Sequence, residues 1–594
     1  MIQRGPLLRS TFLALVFSSA FFGVAYRLFD LQVVRHDELR AIARGLHERK
    51  EYLPPIRGMI LDAKNNVLAQ TVTVWKVIAD PELMRPQTSE WTRLLAERIS
   101  MPAREVGEKI GRPGRYVILK SDVGDEDVQK LQAELKELNR GRKRDQKLVG
   151  LRLEKKFQRY YPNGYLASQV LGFARNETEE FDGQPMDYQR GVDGVEKYFD
   201  QELTGSVGYR RIEKNRHGAE MVAFRGEDVP PRNGNHVVLT IDQAIQDIVE
   251  EELERVCQEK HPKAAVAIVV RPDTGEVLAL ANRPTYDLND PKKDVNGMKN
   301  HAIMDAYEPG STFKTVIVTA ALDQRLTKLD DSYYCENGKW LYAGKFLHDH
   351  KPYGWLNVRQ IIAFSSNIGA AKVALRLGDE LVYRYVKDFG FGEPSGIQLP
   401  GEAGGIARAP KDYTKLSITR IAMGHEVTAT PLQITMAVCA MANGGNLMKP
   451  MIVKKIVDEK GDAIREFVPV VRRRPVDKPA TAQITEAMIG VVTADGTAVK
   501  AALPGFVVAG KTGTAEKVEH GVYVSGKYYS SFVGFFPAEK PQLCCMVGID
   551  ESKDYGGQVA APVFQQIAQR CVSYLGLEPT KPVSSYASLR RNAR

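Results

Sequence analysis

The chain has 594 residues, of which 43% are hydrophobic and 26% are charged. This composition excludes an intrinsically disordered protein and allows two to four domains. The formal net charge is +9, but the basic residues lie in short, scattered runs without interleaved aromatic side chains. We interpret them as solvated surface and expect no nucleic-acid partner. The six cysteines include no Cys-x-x-Cys pair, so the sequence predicts neither a metal site nor a disulfide framework.

The first apolar segment covers residues 11–26, with Arg4 and Arg9 before it. With its apolar neighbours it reaches about 20 residues, enough to cross a bilayer. The positive flank predicts that the amino terminus is cytoplasmic and that the rest of the chain lies outside the cytoplasmic membrane, in the periplasm. A cleaved signal peptide is the alternative, but cleavage near residues 18–20 would leave a very short apolar region. We expect an uncleaved anchor within residues 1–34.

Residues 35–232 carry both helix and strand signals. The spacing of apolar residues in Phe29–Glu51 predicts a helix that leaves the membrane. The segment Ile56–Ala69 predicts two strands joined by an Asn-Asn turn, and residues 88–145 are charged and mostly helical in pattern. The Pro- and Gly-containing stretch Pro230–Gly234 is the predicted linker to the next domain.

Residues 233–576 begin and end with strand patterns and are helical between them. The predicted elements are a strand (Val237–Asp242), a β-hairpin (Ala264–Val270 and Glu276–Ala281), helices (311–443), strands (Phe506–Ile549) and a closing helix (Ala561–Leu575). This order predicts one α+β domain whose sheet is completed by the C-terminal strands. Residues 577–594 are basic and contain Pro and Ser, which predicts a disordered tail.

The first candidate catalytic motif is Ser311-Thr312-Phe313-Lys314, at the start of an apolar helix pattern. Pro309 and Gly310 precede it, so Ser311 is expected in the first turn of the helix. Ser and Lys three residues apart share one helix face, which places an amine beside a hydroxyl. Burial would lower the pKa of Lys314, and the neutral amine could then accept the serine proton. For this motif alone, a helix-capping serine with a solvated lysine is the alternative.

A second candidate motif, Ser365-Ser366-Asn367, follows a helical run. The Ser365 hydroxyl could relay a proton to a leaving amine, and the Asn367 amide could bind a substrate carbonyl. Taken by itself, the motif also fits an ordinary polar turn between two helices.

The third candidate motif is Lys511-Thr512-Gly513-Thr514, which follows the predicted strand Phe506–Gly510. Lys511 would place a cation near the site, and Thr512 would offer a hydroxyl to a substrate carboxylate. Gly513 would let a backbone approach closely, and the amide of Thr514 would donate to an oxyanion. An ordinary strand end is the alternative for this motif alone.

Ser-x-x-Lys on a helix, Ser-x-Asn on a loop and Lys-Thr-Gly on a strand form, in this order, the active-site set of penicillin-recognising serine enzymes. Residues 235–575 resemble the transpeptidase domain of class B penicillin-binding proteins. Further segments that resemble this family are Arg57-Gly58 to Leu68-Ala69, Tyr160-Tyr161-Pro162, Gly194-Val195-Glu196, Leu203-Thr204-Gly205, Met423-Gly424-His425-Glu426 and Tyr555-Gly556-Gly557.

The resemblance implies three parts of an α+β protein. An N-terminal transmembrane helix lies within residues 1–34, and an elongated, mixed α/β pedestal of the dimerisation type covers residues 35–232. Residues 233–576 form the transpeptidase domain, in which an antiparallel sheet is flanked by a helical cluster. The resemblance implies no metal and no cofactor, and we interpret His348-Asp349-His350 as a polar loop and not as a ligand set.

By this resemblance, Ser311 attacks the D-Ala–D-Ala carbonyl of a peptidoglycan stem peptide, and Lys314 accepts its proton. Ser365 relays a proton to the departing D-alanine, while Asn367 holds Lys314 and the substrate amide. The amino group of a neighbouring stem peptide then resolves the acyl-enzyme into a cross-link. β-Lactams mimic the substrate and acylate Ser311.

The strand motif completes the implied site. Lys511 and Thr512 bind the terminal carboxylate of the substrate or tune Ser365. The amides of Ser311 and Thr514 form the oxyanion hole, beside Gly513.

Within class B, a septal role in cell division and an elongation role compete. The segment His348–Leu356, which leads into Ser365, looks more like the septal type. The resemblance then implies contact with the cytoplasmic membrane, with lipid-linked precursor glycan, and with a glycosyltransferase of the SEDS type and divisome proteins.

Two other classes of protein remain as alternatives. A β-lactamase or D,D-carboxypeptidase could use the same catalytic domain, but it needs neither an anchor nor a pedestal. A β-lactam sensor or a divisome scaffold without turnover could keep the fold. A protein without turnover would not need all of Ser311, Lys314, Ser365, Asn367, Lys511 and Thr512. A sensor would also need a cytoplasmic or multi-span signalling part, and only about ten residues precede the anchor.

Overall fold

A computed structural model describes residues 4–39, 48–213, 228–519 and 522–582. These residues form two compact units. The smaller combines residues 1–56, 178–188 and 205–233, and the larger combines residues 57–177, 189–204 and 234–594. The boundary near residue 232 stays a prediction. Most of the predicted disordered tail, residues 583–594, lies outside the described residues.

The helices of six or more residues are α1 (Arg4–Phe29), α2 (Thr88–Arg98), α3 (Ala103–Ile110), α4 (Asp125–Leu138), α5 (Gln243–Lys260), α6 (Lys314–Asp323), α7 (Val358–Ala363), α8 (Asn367–Leu377), α9 (Asp379–Asp388), α10 (Ser417–Ala422), α11 (Pro431–Ala442), α12 (Lys478–Ile489) and α13 (Gly556–Leu575).

The described residues contain 25 strands. Those before residue 240 are β1 (Glu48–Leu53), β2 (Ile60–Leu61), β3 (Val67–Ala79), β4 (Val117–Gly124), β5 (Leu151–Tyr160), β6 (Ala174–Phe181), β7 (Gln184–Gly191), β8 (Gly208–Glu213), β9 (Asp228–Val229) and β10 (His236–Leu239). Those after it are β11 (Ala264–Val270), β12 (Val277–Arg283), β13 (Ser332–Tyr334), β14 (Lys339–Tyr342), β15 (Lys345–His348), β16 (Trp355–Asn357), β17 (Ile406–Ala407), β18 (Val427–Thr428), β19 (Leu447–Met448), β20 (Val453–Val457), β21 (Ala463–Glu466), β22 (Val471–Arg473), β23 (Ala509–Glu519), β24 (Val522–Phe536) and β25 (Leu543–Ser552).

The smaller unit contains the N-terminal apolar helix and a three-stranded sheet in the order β1-β8-β9. The apolar stretch Leu8–Val34 runs from α1 through a π-helical turn at Asp30–Val34. Its mean hydropathy is 1.7, and its 27 residues are long enough to cross a membrane. The helix predicted over Phe29–Glu51 is wrong at its C-terminal end, because Glu48–Leu53 is a strand paired antiparallel with β8. Pairing with a strand about 160 residues away overrides the local helix pattern.

The larger unit contains a seven-stranded sheet in the order β21-β20-β10-β2-β3-β4, with β5 also paired with β3. The predicted Asn-Asn turn between β2 and β3 is confirmed, with Asn65 in the left-handed region at φ 68°. Within residues 88–145, three helices match the prediction, but the strand β4 between them was missed. Helices α2 to α4 pack there on a core that includes Trp91, Leu95 and Leu131.

The sheet that carries the candidate site is five-stranded and antiparallel, in the order β12-β11-β25-β24-β23. Its second strand, Ala264–Val270, is buried at every position, as expected for a strand covered on both faces. The predicted hairpin of β11 and β12 is confirmed, and Asp242 caps α5 through the amides of Ala244 and Ile245. Strand β23 lies at the edge of the sheet and, among the described residues, pairs only with β24.

The closing helix α13 begins at Gly556, five residues earlier than predicted. Pro562 lies inside this helix, and the sequence pattern placed the helix start next to it. Cys544 and Cys545 are both buried in β25, as predicted for small core residues. The helices between residues 311 and 443 share one hydrophobic core with the five-stranded sheet.

Candidate active site

The loop before α6 forms a tight turn that presents Ser311. Gly310–Phe313 is a short 3₁₀ turn that leads directly into α6. Gly310 has φ 57°, and its amide donates to the carbonyl of Gly424 at 3.2 Å. A Cβ on Gly424 would lie 2.2 Å from the Gly310 carbonyl oxygen, so only glycine fits there. Ser311 is half-buried, and within the described residues its hydroxyl makes no hydrogen bond.

Lys314 is completely buried, one helical turn after Ser311. Its Nζ donates to the carbonyl oxygen of Ser365 at 2.6 Å, to Ser365 Oγ at 3.1 Å and to Asn367 Oδ1 at 2.6 Å. These contacts bring the first and second motifs together, although they are about 50 residues apart in the chain. They also hold the Lys314 amine in a buried position, out of contact with solvent.

Burial lowers the pKa of Lys314 from its ordinary value to about 7, while the Asp349 carboxylate acts in the opposite direction. Near neutral pH a substantial fraction of this amine is therefore unprotonated. A buried amine with such a pKa can accept a proton from a nearby hydroxyl.

Ser365 lies in the turn between α7 and α8 and has φ 60°. This left-handed conformation is uncommon for a residue with a side chain. Ser365 Oγ accepts hydrogen bonds from Lys314 at 3.1 Å and from Lys511 at 3.0 Å. A hydroxyl has two lone pairs and one proton, so the Ser365 proton is left to be donated into the site.

Lys511 lies within β23 and is fully buried. Besides Ser365, its Nζ donates to the carbonyl oxygen of Thr512 at 3.1 Å. Burial, followed by the neighbouring charge of Lys314, lowers the pKa of Lys511 well below its ordinary value. The lysine motif was predicted to follow the strand, whereas the structure places it inside the strand, with Lys511 opposite Val533 of β24.

The other three residues of the strand motif have distinct surroundings. Thr512 Oγ1 lies 3.0 Å from Thr497 Oγ1, and Thr514 Oγ1 accepts from the amide of Gly556 at 3.2 Å. A Cβ on Gly513 would lie 2.4 Å from Ser531 Oγ and 3.0 Å from a methyl carbon of Thr312. Gly513 therefore lets β23 approach the turn that carries Ser311.

Asp349 is a residue of the site whose role the sequence did not reveal. Its carboxylate accepts hydrogen bonds from the Ser366 hydroxyl at 2.7 Å, from the Asn367 amide and from the Ile368 amide at 3.1 Å. It thus caps the positive end of α8 with a negative charge. The Asn367 side-chain amide also donates to the carbonyl of His348 at 2.8 Å. The polar loop 348–350 therefore holds the second motif in place.

The Glu308 carboxylate stabilises the turn that precedes Ser311. Its carboxylate contacts His425 Nδ1 at 2.9 Å, the Glu426 amide at 2.9 Å and the Tyr523 hydroxyl at 3.0 Å. Burial disfavours the charged carboxylate, but these hydrogen bonds together lower the pKa of Glu308. Glu308 thereby joins the turn before Ser311 to a loop more than 110 residues further along the chain. No local sequence pattern indicates such a contact.

The chain was compared with protein-family models, curated proteins and solved structures. Residues 265–569 match the penicillin-binding protein transpeptidase domain, and residues 52–239 match the penicillin-binding protein dimerisation domain. The chain is 30% identical over 567 residues to Stage V sporulation protein D of Bacillus subtilis, an alignment that covers 93% of this chain and 84% of that protein. It is 29% identical to the probable peptidoglycan D,D-transpeptidase PenA of Neisseria meningitidis, over 98% of this chain and 95% of that protein.

Among solved structures, penicillin-binding protein 2X from Streptococcus thermophilus superposes with a TM-score of 0.76 at 24% identity, covering 88% of this chain and 80% of that chain. At this identity the likeness shows the fold. The matched domains follow each other in the same order as the two parts predicted from the sequence. The chain therefore belongs to the penicillin-binding protein transpeptidase family, and it is a class B penicillin-binding protein with a dimerisation domain ahead of its transpeptidase domain.

Proposed function

We propose that this class B penicillin-binding protein cross-links peptidoglycan stem peptides through an acyl-enzyme on Ser311. The neutral amine of Lys314 takes the proton of Ser311 as the hydroxyl attacks the D-Ala–D-Ala carbonyl. The observation that carries the proposal is that Ser365 Oγ accepts hydrogen bonds from both Lys314 Nζ, at 3.1 Å, and Lys511 Nζ, at 3.0 Å. Three motifs far apart in the chain supply these groups.

The departing D-alanine needs a proton on its amine. We assign this step to Ser365, since Lys314 and Lys511 occupy both lone pairs of its oxygen and leave its proton to donate. Asn367 Oδ1 accepts from Lys314 at 2.6 Å, and we also assign to Asn367 the binding of the substrate amide. The amides of Ser311 and Thr514 form the oxyanion hole, where preorganised donors stabilise the tetrahedral intermediate.

Substrate binding follows from the position of β23. As an edge strand, it can pair with an extended stem peptide through main-chain hydrogen bonds. Lys511 and Thr512 then meet the terminal carboxylate, whose negative charge acts to raise the pKa of Lys511 and so opposes the effect of burial. Gly513 keeps the strand close to Ser311. β-Lactams enter the same place and acylate Ser311.

The second half of the reaction decides between the possible enzymes. In a transpeptidase the amino group of a second stem peptide attacks the acyl-enzyme, whereas a β-lactamase or D,D-carboxypeptidase activates water. The full set of motif residues argues against a scaffold or sensor without turnover, because such a protein needs only the fold.

The pH dependence of acylation tests Lys314 as the base. We expect the second-order rate of acylation by a fluorescent penicillin to rise about tenfold per pH unit below pH 7 and to level off above it, because the neutral amine is the reactive form and its pKa is about 7. Stopped-flow or gel-based labelling between pH 5 and 9 measures this. A rate that keeps rising through pH 9 would assign the base an ordinary lysine pKa and contradict the proposal.

The substitution Asp349→Asn tests the link between the polar loop and the base. The Asp349 carboxylate raises the pKa of Lys314, so its removal should move the midpoint of the pH profile below 7. The plateau rate should fall about tenfold or more, because α8 loses a charged cap and Asn367 shifts. Asp412→Asn, which changes an exposed aspartate in the same domain, is the matched control and should leave both values unchanged. An unmoved midpoint with a lowered plateau would limit Asp349 to a structural role.

The anchor and the cellular role complete the proposal. The apolar helix Leu8–Val34 anchors the chain in the cytoplasmic membrane, with the amino terminus inside and the transpeptidase domain in the periplasm. Protease added outside spheroplasts should therefore cut the transpeptidase domain, and protection of that domain would reverse the orientation.

Within class B we assign the septal role, supported by the His348–Leu356 segment, with lateral elongation as the second candidate. A septal enzyme would pair with a SEDS-type glycosyltransferase and with divisome proteins. A fluorescent fusion at the division site supports this assignment, and a fusion spread along the lateral wall favours elongation.

A further inference from the structure

A cavity of about 240 Å³ lies in the larger unit, between strand β15, helix α10 and the hairpin of β23 and β24. The apolar part of its lining includes Phe346, Leu347 and Met423. Its charged or titratable lining residues are Lys345, Arg420, His425, Glu516 and Tyr523. The cavity is smaller than a site for a drug-sized molecule and offers room for one long side chain that ends in polar groups.

This cavity adjoins the catalytic site on two sides. The carbonyl of Gly424, the residue before His425, accepts a hydrogen bond at 3.2 Å from the amide of Gly310, the residue before Ser311. Glu516 lies within β23, two residues after the end of the third motif, which is about 7 Å along a strand. A group that binds in the cavity therefore lies beside the turn that carries the nucleophile.

The donor peptide of the proposed reaction runs along β23 toward this cavity. Its terminal carboxylate lies at Lys511 and Thr512, and its scissile carbonyl lies at the amide of Thr514. The donor and β23 are then antiparallel, and each further donor residue advances by about 3.4 Å along the strand. The residue that precedes D-Ala–D-Ala therefore reaches the part of β23 that holds Glu516. This placement rests on the proposed function.

Three titratable residues of the cavity already face partners in the fold. Arg420 Nε lies 3.8 Å from the carboxylate of Glu426. His425 Nδ1 and the Tyr523 hydroxyl contact the Glu308 carboxylate at 2.9 Å and 3.0 Å. These contacts use the charges of this wall within the fold and hold the wall beside the turn before the nucleophile.

Two charged groups of the cavity are left for a ligand. Glu516 and Lys345 are both exposed, and neither side chain makes an ion pair or a hydrogen bond within the described residues. They lie on different walls, Glu516 in β23 and Lys345 in β15. A carboxylate attracts an ammonium group of a ligand, and a lysine attracts a carboxylate. The cavity thus offers one counterpart for each charge of a zwitterionic group.

We propose that this cavity binds the side chain of the donor residue that precedes D-Ala–D-Ala, and that it selects a side chain with an ammonium group beside a carboxylate. Glu516 pairs with the ammonium group and Lys345 pairs with the carboxylate. Phe346 and Met423 contact the aliphatic part of the side chain. Both charged residues determine specificity, and neither transfers a proton in the reaction.

This selection concerns a group that the cross-linking reaction also needs. Where donor and acceptor are copies of one stem peptide, the amine that Glu516 binds in the donor is the group that resolves the acyl-enzyme when it belongs to the acceptor. Recognition of the amine in the donor then favours peptides that can serve in both roles.

The test measures release of D-alanine by the purified full chain from three N-acetylated donor peptides. The peptides differ only in the residue before D-Ala–D-Ala, which is norleucine, lysine or 2,6-diaminopimelate. Its side chain then ends without a charge, with an ammonium group, or with an ammonium group and a carboxylate. The constants kcat and KM are determined for the wild type, Glu516→Gln and Lys345→Gln. Glu539→Gln and Lys540→Gln, which change exposed residues in the loop after β24, are the matched controls.

We expect kcat/KM of the wild type to rise about threefold or more from norleucine to lysine and again from lysine to diaminopimelate, mainly through KM, as for ion pairs at a partly exposed site. Glu516→Gln should remove the first step and Lys345→Gln the second, while both controls keep both steps. Release of D-alanine with equal kcat/KM for the three donors, or equal losses in the controls, would overturn this inference alone. No release from any donor, together with no penicillin adduct on Ser311, would overturn the proposed function and this inference with it.

Discussion

Ser311→Ala should lose all covalent labelling by a fluorescent penicillin. The β-lactam carbonyl needs an oxygen nucleophile at this position, and alanine has none. The variant should still fold, because the Ser311 hydroxyl makes no hydrogen bond within the described residues and the turn is held by the backbone of Gly310 and Gly424. Intact-mass measurement of the full chain in detergent, followed by peptide mapping, should place the wild-type adduct on the peptide that contains Ser311.

Ser332→Ala is the matched control for this experiment. Ser332 is an exposed serine at the start of β13, in the same domain, and its loss should leave labelling unchanged. Equal melting temperatures of the wild type and both variants exclude unfolding as the cause. A stable adduct on another residue of Ser311→Ala would assign the nucleophile elsewhere.

Lys314→Met should slow acylation by about 10²–10⁴-fold, the usual contribution of a positioned general base. Methionine has a similar length and fills the buried space, so the loss reflects the missing amine and not a cavity. The change also leaves the Ser365 carbonyl and Asn367 Oδ1 without their donor, which should loosen the turn between α7 and α8. The rate of labelling at saturating penicillin, compared with the wild type at pH 8, measures the effect.

The control for Lys314 is Lys328→Met, which removes an exposed lysine from the loop after α6. Its acylation rate should match the wild type. The residual rate of Lys314→Met should also lose the pH step near 7, because the group that titrates there is gone. A near-normal rate, or a step that persists, would remove Lys314 as the base.

The sequence predicted the burial of Lys314 and the place of the first motif at a helix start because these signals are local. Helical spacing placed Lys314 on the face of Ser311, and the apolar run after it predicted the burial that lowers its pKa. Short patterns of turn and apolar residues likewise predict the hairpin of β11 and β12 and the N-cap Asp242. The same patterns predict a helix start for Ser311 and a turn for Ser365, whereas Lys511 lies inside β23 and not after the strand as predicted.

The parts that could not be predicted depend on contacts between distant segments. Asp349 appears in the sequence as one acid among many, and only the fold brings it to the amides at the start of α8. Glu308 meets His425 across more than 110 residues. The apolar spacing predicts a helix as far as Glu51, but Glu48–Leu53 pairs with β8 and is a strand.

The most direct test of the account is turnover by the purified full chain with a stem peptide that ends in D-Ala–D-Ala and a second peptide that supplies an amine. We expect release of D-alanine, a transient acyl adduct on Ser311, and a cross-linked product whose amount rises with the concentration of the amine. D-Alanine released with only hydrolysed peptide would instead identify a carboxypeptidase. A protein that is acylated by penicillin but releases no D-alanine under any of these conditions would contradict the central claim.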